Sequence, residues 1–111
     1  MKEKVLLLGS EGCGSGDSEL GYSILMQMLE ALPERLDKPT VIILWNTAVN
    51  LAAFDSPALS RLKNIEDQGV KILSGRLCTG ELCIADKIAV GKIVGMDEIL
   101  DYLLNNEVIS L

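Results

Sequence analysis

The side chains best suited to chemistry in this 111-residue chain are three cysteines, Cys13, Cys78 and Cys83. Cys78 follows a short apolar run at residues 70–73, which has the pattern of a strand ending at a Ser-Gly pair. In α/β sheets, ligands and reactive groups commonly lie just beyond the carboxyl ends of strands. The chain contains no histidine, which excludes Ser-His-Asp and Cys-His catalysis. A nucleophilic thiol here would be activated by backbone dipoles, by a nearby cation or by a partner protein.

Cys78 and Cys83 also have an ordinary interpretation, because most free cysteines are small buried hydrophobic residues. The position after a strand favours function for Cys78. Arg76 and Lys87 are the nearby cations in sequence, and either would stabilise a thiolate or hold an anionic leaving group; solvated side chains are the alternative. A spacing of five does not make a C-x-x-C redox motif, and three thiols are one short of a four-cysteine metal site. We therefore expect no resident metal or other cofactor.

A second candidate region is the glycine-rich loop at residues 9–18, since glycine-rich turns before helices present N–H groups to anions. Its Gly12-x-Gly14-x-Gly16 spacing matches neither G-x-G-x-x-G nor the Gly-Lys-Ser/Thr of a P-loop. Counted from Cys13 as in low-molecular-weight tyrosine phosphatases, the arginine position holds Glu19, which would repel phosphate. We expect the loop to line a pocket instead. The predicted lining is Gly12, Cys13, Gly14, Gly16, Asp17, Gly75, Thr79 and Gly80, with Asn46, Arg76 and Cys83 as supporting residues.

Composition excludes several functional classes. Ten basic and sixteen acidic residues give a net charge of −6, which argues against a nucleic-acid or anionic-membrane surface. No apolar run approaches the length of a membrane span. The chain enters a strand pattern at its start, without the apolar region of a secretory signal. We expect a single cytoplasmic domain over residues 1–111.

Hydrophobic periodicity predicts alternating strands and helices. The expected strands are Lys4–Leu8, Thr40–Trp45, Val70–Leu73, Ala89–Val94 and Glu107–Leu111. The expected helices cover residues 18–36 with a cap at Asp17 or Ser18, a segment from Ser56-Pro57 to a Gly69 cap, a short piece near Cys83–Lys87, and one from Asp97. In the first helix, Leu20, Ile24, Leu25, Met28, Leu29, Leu32 and Leu36 recur at helical spacing. Residues 46–51 and 75–80 are expected to be loops. This order predicts a three-layer α/β domain with a mostly parallel five-stranded sheet.

Short stretches spread over nearly the whole chain carry a family resemblance. They are Gly16-Asp17-x-Glu19-Leu20-Gly21, Asn46-x-x-Val49-x-Leu51, Ser56-Pro57-x-Leu59-x-x-Leu62, Gly69-Val70-x-Ile72-Leu73-Ser74, Asp86-Lys87-x-Ala89-Val90-Gly91 and Met96-x-Glu98-Ile99. With these residues the chain resembles the DsrE/DsrF-like sulfur-relay proteins. It is most similar to the DsrE-like domain of YedF-type proteins, which are linked to sulfur or selenium metabolism.

The family pattern after the third strand is Cys-Gly-Thr-Cys-Leu-Asp, and residues 75–80 occupy the corresponding positions here. Gly75 replaces the first cysteine and Cys78 keeps the second. The resemblance implies that Cys78 is the thiol that carries a persulfide. Cys83 is absent from the pattern and is a candidate substitute for the missing cysteine. The resemblance also implies a flavodoxin-like fold, a homo-oligomer, and separate sulfur-carrier proteins as donor or acceptor.

Two functions remain open from the sequence. The first is a cytoplasmic sulfur or selenium relay protein, a sulfurtransferase or persulfide carrier acting through Cys78. The alternative is a non-catalytic subunit of a sulfur-relay complex that binds a small ligand or a partner. The replacement of the family's first cysteine by Gly75 is what makes the alternative serious.

Overall fold

A five-stranded, all-parallel sheet with helices on both faces forms the computed structural model, which describes residues 3–111; residues 1 and 2 of the expected domain lie outside this range. The strands are β1 (Lys4–Leu8), β2 (Val41–Leu44), β3 (Lys71–Gly75), β4 (Lys92–Val94) and β5 (Glu107–Ser110), in the order β4-β3-β2-β1-β5. The helices are α1 (Ser18–Ala31), α2 (Leu59–Asp67), α3 (Arg76–Glu81) and α4 (Met96–Asn105). Short 3-10 helices cover Leu32–Glu34, Asn46–Ala52 and Ala85–Lys87. The predicted three-layer α/β fold is confirmed.

The strands are apolar on both faces because helices cover both faces. Alternate residues of β1 and β2 point to opposite sides, so that Leu6 and Ile42 join one core cluster while Val5 and Val41 join the other. The first cluster packs on α1 and α2, and the second packs on α4 through the buried Ile99. The all-parallel pairing brings the carboxyl ends of all five strands to one edge of the sheet.

The first helix is shorter than predicted. Asp17 caps α1 as expected, because its carboxylate accepts the Leu20 N–H at 2.9 Å. The helix ends at Ala31 and passes into the 3-10 turn that contains Pro33, since proline has no N–H for the helical ladder. The apolar stripe is also wider than the sheet can cover. Leu25 and Leu29 are fully buried, whereas Leu20 and Ile24 on the same helix are exposed; Leu36 is exposed in a turn beyond the 3-10 helix.

Two further boundaries differ from the prediction. The second helix was expected to begin at Ser56-Pro57, but α2 begins at Leu59, after a turn in which the Ala58 N–H donates to the Ser56 hydroxyl at 3.0 Å. The fourth strand was expected from Ala89, but β4 begins at Lys92. Before it, Gly91 adopts a φ of 70° against the Ile72 carbonyl, where a side chain has no room. Within residues 3–111, no helix has the length and hydrophobicity needed to cross a membrane.

Candidate functional site

The candidate site lies at the carboxyl ends of two neighbouring strands. Strands β2 and β3 are paired with Leu44 opposite Ser74. Immediately beyond them, β2 continues into Trp45 and a 3-10 helix, and β3 continues directly into α3. The first turns of these two helical segments are therefore brought side by side. This edge of a parallel α/β sheet is the usual place for ligands.

Cys78 lies in α3, not in a loop. The prediction of a loop at residues 75–80 is wrong, because helix α3 begins at Arg76 with Gly75 as its N-cap. Cys78 is the third helical residue and is half-buried. The aligned peptide dipoles of a helix favour negative charge in its first turn. The short helix fixes the thiol in place at the end of β3, where a loop would let it move.

A backbone N–H points at the Cys78 sulfur. The Asn46 N–H donates to Cys78 Sγ at 3.0 Å. Asn46 has a φ of 53°, in the left-handed region that asparagine tolerates better than most residues. This conformation at the first residue after Trp45 directs the N–H across to α3. A donor at this distance stabilises negative charge on sulfur, so the sequence expectation of activation by backbone dipoles has a specific donor in the structure.

A groove of about 350 Å³ opens above the thiol. Its lining consists of Trp45, Asn46, Leu77, Cys78, Glu81 and Leu82. Leu77 and Leu82 are 67% and 41% exposed, so the rim of the groove is apolar and accessible. Trp45, Glu81 and Leu82 were not predicted from the sequence. A helix predicted over residues 76–81 would have placed Glu81 and Leu82 beside Cys78, because they follow it at the i+3 and i+4 positions.

The residues predicted to line one pocket lie in two separate places. Gly12, Gly14, Gly16 and Asp17 line a different cavity of about 500 Å³ beside the start of α1. Gly75 and Thr79 are buried beneath the groove, and the Thr79 hydroxyl donates to the Arg76 carbonyl oxygen at 3.1 Å. Gly80 lies on α3 with open space around it. None of these three is among the groove-lining residues in the described part of the chain.

Cys13 has a different environment from Cys78. It packs partly against the core cluster under α1, and burial raises the pKa of its thiol. Its backbone N–H donates to the Gly21 carbonyl at 3.0 Å, which ties the loop to the helix. A thiol with a raised pKa is a poorer nucleophile at neutral pH because less of it is ionised.

The remaining supporting residues, Cys83 and Arg76, lie outside the groove. Cys83 is exposed at the end of α3 with a φ of 58°. It occupies the position that glycine usually takes in a Schellman helix end, since the Ile84 N–H donates to the Thr79 carbonyl at 2.9 Å. The Arg76 side chain is exposed and lies against Gly95. A Cβ atom added to Gly95 would be 3.1 Å from Arg76 Nη1. Arg76 therefore contacts the N-cap of α4 and does not line the groove.

Comparison with known proteins shows the fold and no more. No protein-family model and no curated protein matches the chain. The solved structure of the ychN protein from E. coli superposes with a TM-score of 0.68 at 16% identity, covering 98% of this chain and 99% of that one. A conserved protein of unknown function from Bacteroides thetaiotaomicron superposes with a TM-score of 0.69 at 18% identity, covering 98% and 95%. At these identities the likeness establishes a shared fold.

Proposed function

We propose that this chain is a sulfur or selenium relay protein that carries the transferred atom on Cys78 as a persulfide or its selenium equivalent. The observation that carries the proposal is the 3.0 Å contact from the Asn46 N–H to Cys78 Sγ at the base of an open groove. The resemblance to DsrE/DsrF-like proteins supports it, since the cysteine kept from that pattern is the same residue. The observed three-layer fold agrees with what that resemblance implies.

The chemistry is an exchange between sulfur atoms and needs no histidine. The Cys78 thiolate attacks the outer sulfur of a donor persulfide, R–S–SH. The new bond joins Cys78 Sγ to that sulfur, the old S–S bond breaks, and the donor leaves as the thiolate R–S⁻. Release to an acceptor thiolate repeats the step in the opposite direction. No net oxidant or reductant is consumed, and the Asn46 N–H stabilises the anionic sulfur before attack and after release.

A disulfide between Cys78 and Cys83 is not part of the proposal. Cys83 lies beyond the Leu82 C-cap of α3, exposed and outside the groove that Cys78 lines. The helix end at Cys83 is fixed by two backbone hydrogen bonds from Cys83 and Ile84. Sulfur therefore leaves Cys78 by transfer to another molecule. We propose separate sulfur-carrier proteins as donor and acceptor, in a cytoplasmic setting, with the chain as a homo-oligomer.

The test is intact mass after incubation with a low-molecular-weight persulfide. The native protein is expected to gain one sulfur, about 32 Da per transfer step, and Cys78→Ser is expected to gain none. Cys83→Gly is the matched control, because it removes an exposed thiol and places glycine at a left-handed position that glycine favours. It is expected to gain the same mass as the native protein. An equal gain in Cys78→Ser, or no gain in the native protein, contradicts the proposal.

A binding subunit is the second candidate, and the exposed apolar rim of the groove favours it. Leu77 and Leu82 present apolar surface beside Trp45, which suits contact with a ligand or a partner even without sulfur transfer. The same mass measurement separates the two functions. A protein that binds a partner through this rim but never gains sulfur on Cys78 belongs to the second class.

A further inference from the structure

We propose that Glu81 gives the Cys78 groove a charge selectivity, so that it accepts neutral or cationic sulfane donors and disfavours anionic ones. The identity of the reaction rests on the proposed function, whereas the selectivity rests on the lining of the groove. The substrate class is a thiol or persulfide whose sulfur has neutral or basic neighbours. Small anionic donors such as thiosulfate belong to the disfavoured class.

Glu81 lies close to the reacting sulfur because both residues are on α3. They are three positions apart, and side chains at that spacing share a helix face with about 5–6 Å between their Cβ atoms. Both line the same groove. Within residues 3–111 the salt bridges join other residues, so no ion pair there offsets the Glu81 charge.

Nothing else in the lining offsets this charge. The other walls are the side chains of Trp45, Leu77 and Leu82, with the uncharged Asn46 at the base. The nearest cation along the helix, Arg76, lies against Gly95 and not in the groove.

The expected size of the effect follows from Coulomb's law. A unit charge about 6 Å from another, screened as in water, changes an encounter by about threefold, and more where the walls exclude water. The effect has opposite signs for anionic and cationic donors. A neutral donor of similar size has no net charge for Glu81 to act on, so its rate is the internal reference for any change that the substitution makes in the thiol itself.

The test measures thiol–disulfide exchange at Cys78 with three probes of different charge. They are the dianionic 5,5′-dithiobis(2-nitrobenzoate), the neutral 2,2′-dithiodipyridine and the dicationic cystamine. In each reaction the Cys78 thiolate attacks one probe sulfur, a mixed disulfide forms, and the other half leaves as a thiolate. A Cys13→Ser/Cys83→Ser background restricts the reaction to Cys78. Rates are compared with and without Glu81→Gln, so that the intrinsic reactivity of each probe cancels.

Glu81→Gln should accelerate the dianionic probe by about threefold or more and slow cystamine by a similar factor. Both changes are measured relative to the neutral probe, whose rate carries any effect of the substitution on the thiol itself. Glu107→Gln is the control: it removes the same charge from the first residue of β5, at the opposite end of the parallel strands, and should leave all three rates nearly unchanged. Equal changes for all probes, no change, or the same result from Glu107→Gln would overturn the proposal.

Failure of this proposal can be told apart from failure of the proposed function. The exchange rates report the charge of the groove whether or not Cys78 ever holds a persulfide. The mass gain reports the persulfide whether or not Glu81 selects among donors. If the protein gains sulfur on Cys78 but shows no selectivity among the probes, the proposed relay function is supported and the inference about Glu81 is wrong.

Discussion

The segments that hold Cys13 and Cys78, a loop and the short helix α3, both follow parallel strands at the same edge of the sheet, yet the two thiols have different surroundings. Cys13 is held by its backbone, which bonds to Gly21, and burial raises the pKa of its thiol. The Cys78 sulfur, by contrast, accepts a hydrogen bond from the Asn46 N–H. The difference shows that a cysteine after a strand becomes a candidate nucleophile through the donor that meets its sulfur, not through its position alone.

The glycines beside the two cysteines also have different roles. A Cβ on Gly21 would lie 2.8 Å from the Cys13 carbonyl oxygen, which is closer than backbone packing allows. A Cβ on Gly75 would lie 3.5 Å from Cys78 Sγ and 3.7 Å from Trp45 Cβ, in ordinary contact. The first glycine is required by close packing. The second is not, so the region around Cys78 has space that the Cys13 loop lacks.

The largest expected effect is the loss of folding stability when alanine replaces Gly21, compared with the same substitution at Gly75. Gly21→Ala should lower the free energy of unfolding by about 1–3 kcal/mol, because the new methyl group forces the Cys13 loop away from α1. Gly75→Ala is the matched control at an N-cap, where alanine costs only a few tenths to about 1 kcal/mol relative to glycine. Urea denaturation measures both. Equal losses in the two variants would mean that the two regions are packed alike.

The next effect concerns the donor to Cys78. Asn46→Val should slow alkylation of Cys78 by iodoacetamide by about tenfold or more, because a β-branched residue disfavours the left-handed backbone at this position, and a hydrogen bond to a charged group contributes about 1.5–3 kcal/mol. Asn46→Gly keeps that backbone accessible and should retain most of the rate. Peptide mapping over time gives the rate at each cysteine separately.

Alkylation of Cys13 provides the internal reference for that experiment. Its rate should not respond to either substitution at Asn46, because its own loop is tied to α1 through Gly21. If Asn46→Val slows both cysteines equally, the substitution has loosened the whole sheet edge. In that case the backbone donor has no specific effect on Cys78, and the distinction between the two thiols disappears.

Much of the fold could be predicted from the sequence because buried parallel strands are short continuous apolar runs. Lys4–Leu8 matches β1 without change, and Asp17 caps α1 as expected. The errors lie where tertiary contacts override periodicity. Leu20 and Ile24 follow the helical spacing of the core residues but face solvent, because no other element within residues 3–111 covers that side of α1.

The site could be predicted only in part. Cys78 and Asn46 were found because each follows an apolar strand, and the topology brings such positions to one edge. Helix α3 was missed because Gly75 and Gly80 are typical of turns, although Gly75 serves as an N-cap and Gly80 lies within the helix. With the helix missed, Glu81 and Leu82 could not be placed beside Cys78. The left-handed backbone of Asn46 has no signal in a single sequence beyond the tolerance of asparagine.

The smallest expected effect is a pH dependence of stability that comes from Cys13. Burial raises the pKa of the Cys13 thiol in the folded state, so the folded protein holds this proton more tightly than the unfolded chain does. Below the ordinary thiol pKa of about 8.5 both states are protonated, and the contribution to stability is fully present. As the pH rises above that value the unfolded chain ionises first, and stability is lost until the pH passes the folded pKa. Urea unfolding between pH 7.5 and 10 in reducing buffer should therefore show a steeper alkaline loss for the native protein than for Cys13→Ser, which has no titrating group at this position. If Cys13→Ser loses stability as steeply as the native protein, burial does not distinguish the Cys13 thiol, and the contrast between the two cysteines rests on the Asn46 donor alone.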